Sequence, residues 1–123
     1  MDKRRLGVFK IRFDDMLYLD DEGNQSPLRV DQWVAFKSRI KMRDRRAIQN
    51  LDENDPEADA QLAIALAKCI LAWNITDFDA EPDAEGNYPP MPQPSAEAVL
   101  DLSDSEVIYM LEKFFEHLEP SKN

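Results

Sequence analysis

The first part of the chain alternates between apolar and polar residues in the way that is typical of a β-strand. From Phe9 to Phe13, apolar side chains alternate with basic ones, so we predict extended structure over residues 6–19. A turn must follow if this segment pairs with itself. Residues 14–15 and residues 20–24 both contain suitable turn-forming side chains, and the pattern does not decide which of them closes a hairpin.

Residues 33–43 fit two periodicities. Strict alternation accounts for more of the residues than a helical stripe from Trp33 to Ile40, which Asp44 interrupts, so we predict a strand. One face of this strand would carry a basic ridge, formed by Lys37, Arg39, Lys41 and Arg43. A basic ridge can bind phosphate groups, but stacking on bases needs aromatic platforms, and only Phe36 is near. We therefore expect the ridge to contact a partner protein or a second copy of the chain, with nucleic acid an unlikely partner.

Two helices are predicted in the middle of the chain. Asp44 can cap a short helix over residues 44–51. A second helix, predicted over residues 56–73, begins with a proline that fits the first helical position. Between residues 62 and 73, eleven of twelve residues are apolar. A helix that is apolar on nearly every side must be covered on all of them, so we expect it to lie centrally in its domain or against another protein.

The C-terminal part combines a long irregular segment with one more helix. Residues 74–102 contain five of the eight prolines and many acidic residues, which predicts a long acidic proline-rich loop. Ser103 and Glu106 form a capping box, and the apolar stripe that follows predicts a helix over residues 104–118. We expect residues 119–123 to be a flexible tail. Together these elements predict a single α+β domain with short antiparallel N-terminal strands followed by helices.

Composition and charge narrow the class of protein. The chain has 123 residues, 43% of them hydrophobic, which suits one domain with a modest core. No apolar run is long enough for a bilayer and none follows the basic start, so we expect neither a membrane span nor a secretory signal. The net charge of −10 is unevenly divided, because residues 1–50 carry 12 basic and 8 acidic side chains (+4), whereas residues 51–123 carry 3 and 17 (−14). The halves either neutralise each other, within one molecule or between copies, or form two docking faces for different partners.

Side chains that commonly carry enzyme chemistry are scarce. Cys69 and His117 are the only cysteine and the only histidine, so the usual zinc ligand sets cannot form within one chain. We expect Cys69 to pack in its apolar helix and His117 to lie at a surface or interface. Residues 77–85 space carboxylates like the start of a calcium loop, but Pro82 and Tyr88 stand where such a loop needs Gly and Glu. We therefore predict no enzyme activity, no cofactor and no metal site.

One segment resembles a known family. Residues 70–79 have the sequence Ile-Leu-Ala-Trp-Asn-Ile-Thr-Asp-Phe-Asp, and Gly86, a proline cluster and a final helix follow. This arrangement resembles the tail assembly chaperones and related small tail proteins of long-tailed bacteriophages. Many of these have an apolar helix that ends in a Trp-Asn-Leu-Thr-Asp-like phrase before an acidic loop. The resemblance covers about residues 30–118, its distinctive phrase is Trp73–Asp77, and the acidic insertion before Gly86 is longer here than is common in that family.

The resemblance implies a non-enzymatic protein in the cytoplasm of the infected bacterium. Its partners would be the tape-measure protein and the tail-tube protein, which it would hold during tail assembly. A long helical client with apolar stripes needs apolar cover, which helix-in-groove contact supplies. The candidate partner-binding residues are surplus apolar side chains of the two long predicted helices, namely Ile64, Leu71, Trp73, Phe114 and Phe115. All five could instead belong to the core.

Other functions and assemblies stay open at this point. The chain could be a structural tail or connector component that is retained in the virion, where its N-terminal strands extend a neighbour's sheet. It could also be an acidic inhibitor that mimics DNA. A homo-oligomer is compatible with each of these hypotheses.

Overall fold

A computed structural model describes residues 8–52 and 54–118 of the chain. The α+β class is confirmed, because short antiparallel strands in the N-terminal part are followed by helices. No helix in these two ranges is long and apolar enough to span a bilayer. The elements in chain order are β1 (Val8–Arg12), β2 (Leu17–Leu19), β3 (Gln25–Pro27), β4 (Trp33–Lys37), α1 (Met42–Gln49), α2 (Ala58–Cys69), β5 (Ile70–Trp73), α3 (Ala96–Leu100) and α4 (Asp104–Leu118).

The main sheet has three antiparallel strands in the order β1-β4-β5. The central strand β4 pairs Phe36 with Phe9 on one side and with Ile70 on the other. The register of β4 with β5 shifts between Ala35 and Phe36, so that Leu71 has no partner in the ladder. A bulge of this kind bends a strand locally and redirects its side chains.

The predicted extended region over residues 6–19 is two separate strands. Residues 14 and 15 form a turn between β1 and β2, and β2 then pairs with β3 in a small hairpin. The segment 20–24 closes this hairpin, where Gly23 adopts a φ of 85°. The side chain of Asp20 accepts the N–H groups of Glu22 and Asn24, each at 2.9 Å, which is the usual way in which aspartate holds a turn. Residues 6 and 7 lie outside the described ranges.

The strand predicted over residues 33–43 is wrong in its second half. β4 ends at Lys37. Helix α1 begins at Met42, two residues before its predicted start, and ends at Gln49. The pairing partner of Phe36 is Ile70, which directly follows helix α2. Because α2 supplies no further strand on that side, the residues after Lys37 have no ladder to extend there.

The helix predicted over residues 56–73 is also wrong in its last turn. α2 ends at Cys69, and Ile70–Trp73 continue as β5 in the sheet. A continuous apolar run does not distinguish a buried helix from a buried strand, and here pairing with β4 decides the outcome. The chain itself does not cover this helix on every side, since Leu66 is fully buried whereas Ile64 is half exposed, so cover by another protein stays a prediction.

The predicted loop over residues 74–102 contains one short helix. Ser95 caps α3, because its Oγ accepts the Ala98 N–H at 3.1 Å. Earlier in the segment, Met91 is buried and its N–H donates to the carbonyl of Ile75 at 2.9 Å. The middle of the segment is therefore held against the residues that directly follow β5.

The C-terminal helix is confirmed over residues 104–118. The capping box that predicted its start is present, since the Glu106 N–H donates to Ser103 Oγ at 3.2 Å and the Ser103 N–H donates to Glu106 Oε1 at 3.0 Å. Phe114 anchors the helix to the sheet, with its ring 4.9 Å from that of Phe36 and 6.1 Å from that of Phe9. The predicted tail, residues 119–123, lies outside the described ranges.

A buried ion pair joins the residues that follow the β2–β3 hairpin to the first turn of α4. Arg29 Nε donates to Glu106 Oε2 at 2.6 Å, and both residues are buried. The Tyr18 hydroxyl donates to the same oxygen at 2.7 Å, and Arg29 Nη1 donates to the Thr76 carbonyl at 2.9 Å. Burial alone raises the pKa of Glu106, but the hydrogen bonds from Arg29, the Ser103 N–H and Tyr18 outweigh burial and lower it. This cluster connects the β2–β3 hairpin, the segment after β5 and the start of α4.

Candidate functional site: a basic groove at one end of the sheet

A groove of about 770 Å³ lies at the end of the main sheet where β4 leaves for α1 and where α2 enters β5. Three strands and two helices meet there, so the groove has walls from parts of the chain that are far apart in sequence. We call it the basic groove. It is lined by Val8, Lys37, Arg39, Ile40, Lys41, Met42, Asp44, Lys68, Cys69 and Leu71.

The pairing of the strands explains why these residues meet. Lys37 is the last residue of β4 and pairs with Val8, the first residue of β1. Lys68 is near the C-terminal end of α2, and Leu71 follows as the bulged residue of β5. The sheet thus brings three residues of the predicted ridge to the end of the apolar run, an arrangement that neither pattern indicates alone.

The surface of the groove combines exposed apolar groups with basic groups. Val8, Met42 and Leu71 are each about half exposed or more. Large apolar side chains scattered singly are ordinary on protein surfaces, but several around one concave surface are typical of a binding site. The groove therefore offers apolar contact area that nothing else in the described part of the chain covers.

The charges around the groove are mostly of one sign. Four cations and the single carboxylate of Asp44 line it. Among described residues the ion pairs are Arg12 with Asp14, Arg12 with Asp31, and Arg29 with Glu106. None of them involves a cation of the groove, so the positive field there is not neutralised by those pairs and would attract an acidic ligand. The four cations are Lys37, Arg39, Lys41 and Lys68.

Of the predicted site residues, Leu71 and three of the basic ridge lie together in this groove. Arg43 is exposed on α1 and does not line it. Ile64 is half exposed on α2 and lines neither this groove nor the other large one. Ile64 and Leu71 are both about half exposed, but they lie on different surfaces, because α2 ends at Cys69 and Leu71 belongs to β5.

The predicted aromatic contacts have other positions. Trp73 is half-buried, and its Nε1 donates to the Pro92 carbonyl at 2.8 Å, so it fastens the loop to β5. Phe114 is 0% exposed, and Phe115 packs partly buried against it with ring centroids 5.5 Å apart. The prediction that Phe114 is a partner-binding residue at the surface is therefore corrected. Its side chain belongs to the core, because α4 turns that stripe toward the sheet.

The sequence analysis did not predict six of the ten lining residues as site residues, and three of these six are exposed in the groove. Lys68 interrupts the apolar run 62–73 as its one charged residue, and that interruption is the signal that could have indicated it. Met42 belongs to the segment 33–43 that was predicted as a strand, whereas in the structure it is the first residue of α1. Val8 joins the site only through its pairing with Lys37, which is a tertiary contact.

The histidine and the acidic loop that the sequence analysis considered make contacts that stabilise the fold. His117 stacks on Phe9 with ring centroids 3.6 Å apart. In the acidic loop, the Asp77 carboxylate accepts the Asp79 N–H at 3.0 Å, and the Asp83 carboxylate accepts two backbone N–H groups at 2.9 Å. No group of three or more His, Cys, Asp or Glu residues suited to a metal ion occurs within residues 8–52 and 54–118.

Cys69 forms part of the floor of the groove, and we expect it to react slowly. Burial raises the pKa of its thiol to about 11, and its Sγ donates to the Ala65 carbonyl at 3.5 Å. Because the thiolate is the reactive form, modification by a disulfide reagent at pH 8 should be at least about 100-fold slower in the folded chain than in denaturant. The release of the reagent's chromophore over time measures this. Rapid reaction of the folded chain would mean that the groove opens to an accessible thiol.

The groove thus offers shape, apolar area and positive charge, which together suit reversible binding of an acidic, partly apolar ligand. Its one thiol is buried, and its remaining polar groups are ammonium and guanidinium groups with one carboxylate. Comparison of the chain with protein-family models, with curated proteins and with solved structures gave no match.

Proposed function

We propose that this chain is a non-enzymatic binding protein that holds an acidic, partly apolar segment of a partner in the basic groove. We further propose that it acts as a tail assembly chaperone of a long-tailed phage, with the tape-measure and tail-tube proteins as clients. The observation that carries the proposal is the basic groove itself, in which exposed apolar side chains are surrounded by four cations.

The energetics favour transient binding. Covering the exposed parts of Val8, Met42 and Leu71 contributes about 1 kcal/mol each. Cations at the rim contribute mainly to the rate of encounter and to the choice of partner, and less to affinity. A chaperone must release its client when the tail tube encloses it, so moderate affinity with strong charge selection fits this role.

The tail assembly role is supported by the resemblance of the phrase Trp73–Asp77. In the fold this phrase fastens the end of the sheet, since Asn74 Oδ1 accepts the Trp33 N–H at 2.6 Å and Asn74 Nδ2 donates to the Asp31 carbonyl at 3.1 Å. The Thr76 N–H donates to Gln32 Oε1 at 2.9 Å. These hydrogen bonds give the side chains of the phrase a role in holding the fold together. The groove next to β5 is lined by none of them, so its client can differ without a change in the phrase.

The test is co-purification with the tail proteins of the same genome. The chain should co-purify with the tape-measure or tail-tube protein, and the triple variant Lys37→Glu, Lys41→Glu, Lys68→Glu should bind at least about 100-fold more weakly, because like charges then face an acidic client. The matched control is Lys10→Glu, Arg46→Glu, Lys113→Glu, which makes the same change in net charge at exposed positions outside the groove. Titration by calorimetry gives the affinities.

Two outcomes would contradict the proposal. Equal weakening in both triple variants would show that the client responds only to net charge. Undiminished binding by the groove variant would place the contact elsewhere. Mass spectrometry of purified particles separates the chaperone from the structural alternative, since a chaperone is absent from the mature virion and a structural component is present in fixed copy number.

A further inference from the structure

A second large groove, of about 680 Å³, lies at the opposite ends of α1 and α2. We call it the acidic groove. Its walls come from the end of α1, the start of α2, α3 and α4, and it shares no lining residue with the basic groove. The lining residues are Ile48, Gln49, Leu51, Asp55, Pro56, Ala58, Asp59, Leu62, Ala63, Val99, Leu100, Leu102, Asp104, Val107, Ile108 and Leu111.

The two helices α1 and α2 connect the grooves. Met42 at the start of α1 lines the basic groove, and Ile48 near its end lines the acidic one. In α2 the order is reversed, with Asp59 at the acidic groove and Lys68 at the basic one. Lys68 lies nine positions after Asp59, which corresponds to about 14 Å along the helix axis, so two ligands can occupy the grooves at the same time.

The acidic groove has a higher proportion of aliphatic lining residues than the basic one. Most of its lining residues are aliphatic, and Leu62 and Leu111 pack against the core while also lining the groove. Leu100 and Ile108 are about half exposed at its rim. An apolar stripe of this kind between helices is the surface that an amphipathic helix covers with residues spaced at i, i+3 or i+4, and i+7.

The charge around this groove selects a basic ligand. Asp55, Asp59 and Asp104 line it, and no lysine or arginine does. The described ion pairs include none of these three carboxylates. The part of the chain that supplies most of its walls, residues 51–123, carries 3 basic and 17 acidic side chains, so the field there is negative well beyond the rim.

We propose that the acidic groove is a second docking site, which takes an amphipathic helix of a partner that presents lysine or arginine beside an aliphatic stripe. The complementarity of an aliphatic floor and three rim carboxylates with such a helix carries the proposal. The basic groove would then hold an acidic segment while the acidic groove holds a basic helix, which makes the chain an adaptor between two partners of opposite charge. Binding at the acidic groove does not depend on the function proposed for the basic groove, whereas the adaptor role rests on it.

The test uses the full chain and a designed helix as probe. An 18-residue fluorescent peptide with leucine at helical spacing and lysine on the flanks should bind, as measured by anisotropy, and the same peptide with glutamate in place of lysine should bind at least about 10-fold more weakly. Ile108→Lys should weaken binding of the lysine peptide by at least about 10-fold, because it places a cation in the groove. The matched control is Ile64→Lys, since Ile64 is 50% exposed, Ile108 is 54% exposed, and Ile64 lines neither groove.

The outcomes separate the possible occupants. Equal effects of Ile108→Lys and Ile64→Lys would overturn the proposal, because the peptide would then respond only to net charge. Equal binding of the lysine and glutamate peptides would overturn it too. If the chain sediments as a dimer that only Ile108→Lys dissociates, a second copy occupies the groove and a partner helix does not. Asp59→Asn removes one rim charge with little change in shape, and it should weaken the lysine peptide even if Ile108→Lys fails to fold.

Discussion

Replacing Arg29 by alanine is expected to lower the free energy of unfolding by about 3–5 kcal/mol, because it leaves a carboxylate buried without its partner. Arg29 is 2% exposed and donates to Glu106 Oε2 at 2.6 Å and to the Thr76 carbonyl at 2.9 Å. Its guanidinium also lies 4.1 Å from the centre of the Phe78 ring. One substitution therefore breaks contacts that hold the hairpin, the segment after β5 and α4 together.

Chemical denaturation of the parent chain and of Arg29→Ala at pH 7 measures this loss in the free energy of unfolding. The control is Arg12→Ala, since Arg12 pairs with Asp14 at 3.0 Å and with Asp31 at 3.3 Å but its side chain is about half exposed. Exposed pairs contribute about 0–1 kcal/mol, so the control should lose little. A loss for Arg29→Ala no larger than that for Arg12→Ala would mean that the buried pair does not hold the fold together.

Phe114→Ala is expected to destabilise the fold by about 3–5 kcal/mol, the usual cost of emptying a fully buried aromatic site. Its ring centroid lies 4.9 Å from that of Phe36 and 5.5 Å from that of Phe115, and it is one of the contacts through which α4 covers the sheet. Phe115→Ala should cost less, because Phe115 is only partly buried. Thermal and chemical unfolding of the two variants provide the comparison.

The same pair of variants tests the earlier interpretation of Phe114 as a partner-binding residue. If Phe114 is a core residue, Phe114→Ala lowers the stability of the fold, and client binding falls only as the protein unfolds. If Phe114→Ala has unchanged stability but fails to bind the client, Phe114 lies at an interface with the client. The result for Phe114 thus decides whether α4 presents this stripe inward, as the structure places it.

Local signals predicted the elements that depend on local contacts. The capping box at Ser103 and Glu106 gave the start of α4, and the alternation from Phe9 to Phe13 indicated β1. The strand β5 could not be predicted in this way, because four apolar residues after an apolar helix fit either structure until β4 is present to pair with them. The helix α3 was hidden for a similar reason, since its five residues follow a run of prolines.

The candidate site was only partly accessible from the sequence, for a related reason. Lys37, Arg39 and Lys41 stand out as a ridge, but their neighbour Lys68 comes from a helix some thirty residues later. The partners of the buried pair are farther apart still, since Glu106 comes 77 positions after Arg29. The capping role of Glu106 was visible in the sequence, whereas its charge partner depends on how the hairpin folds over α4.

Hydrogen exchange of the chain, alone and bound to the client that co-purifies with it, tests the central claim most directly. The basic groove predicts slower exchange on binding in residues 37–42 and 68–71, where its walls lie. Exchange in the acidic loop, residues 77–88, should be the same in both states. Protection confined to that loop, with the two wall segments unaffected, would contradict the assignment of the basic groove as the place where the client docks.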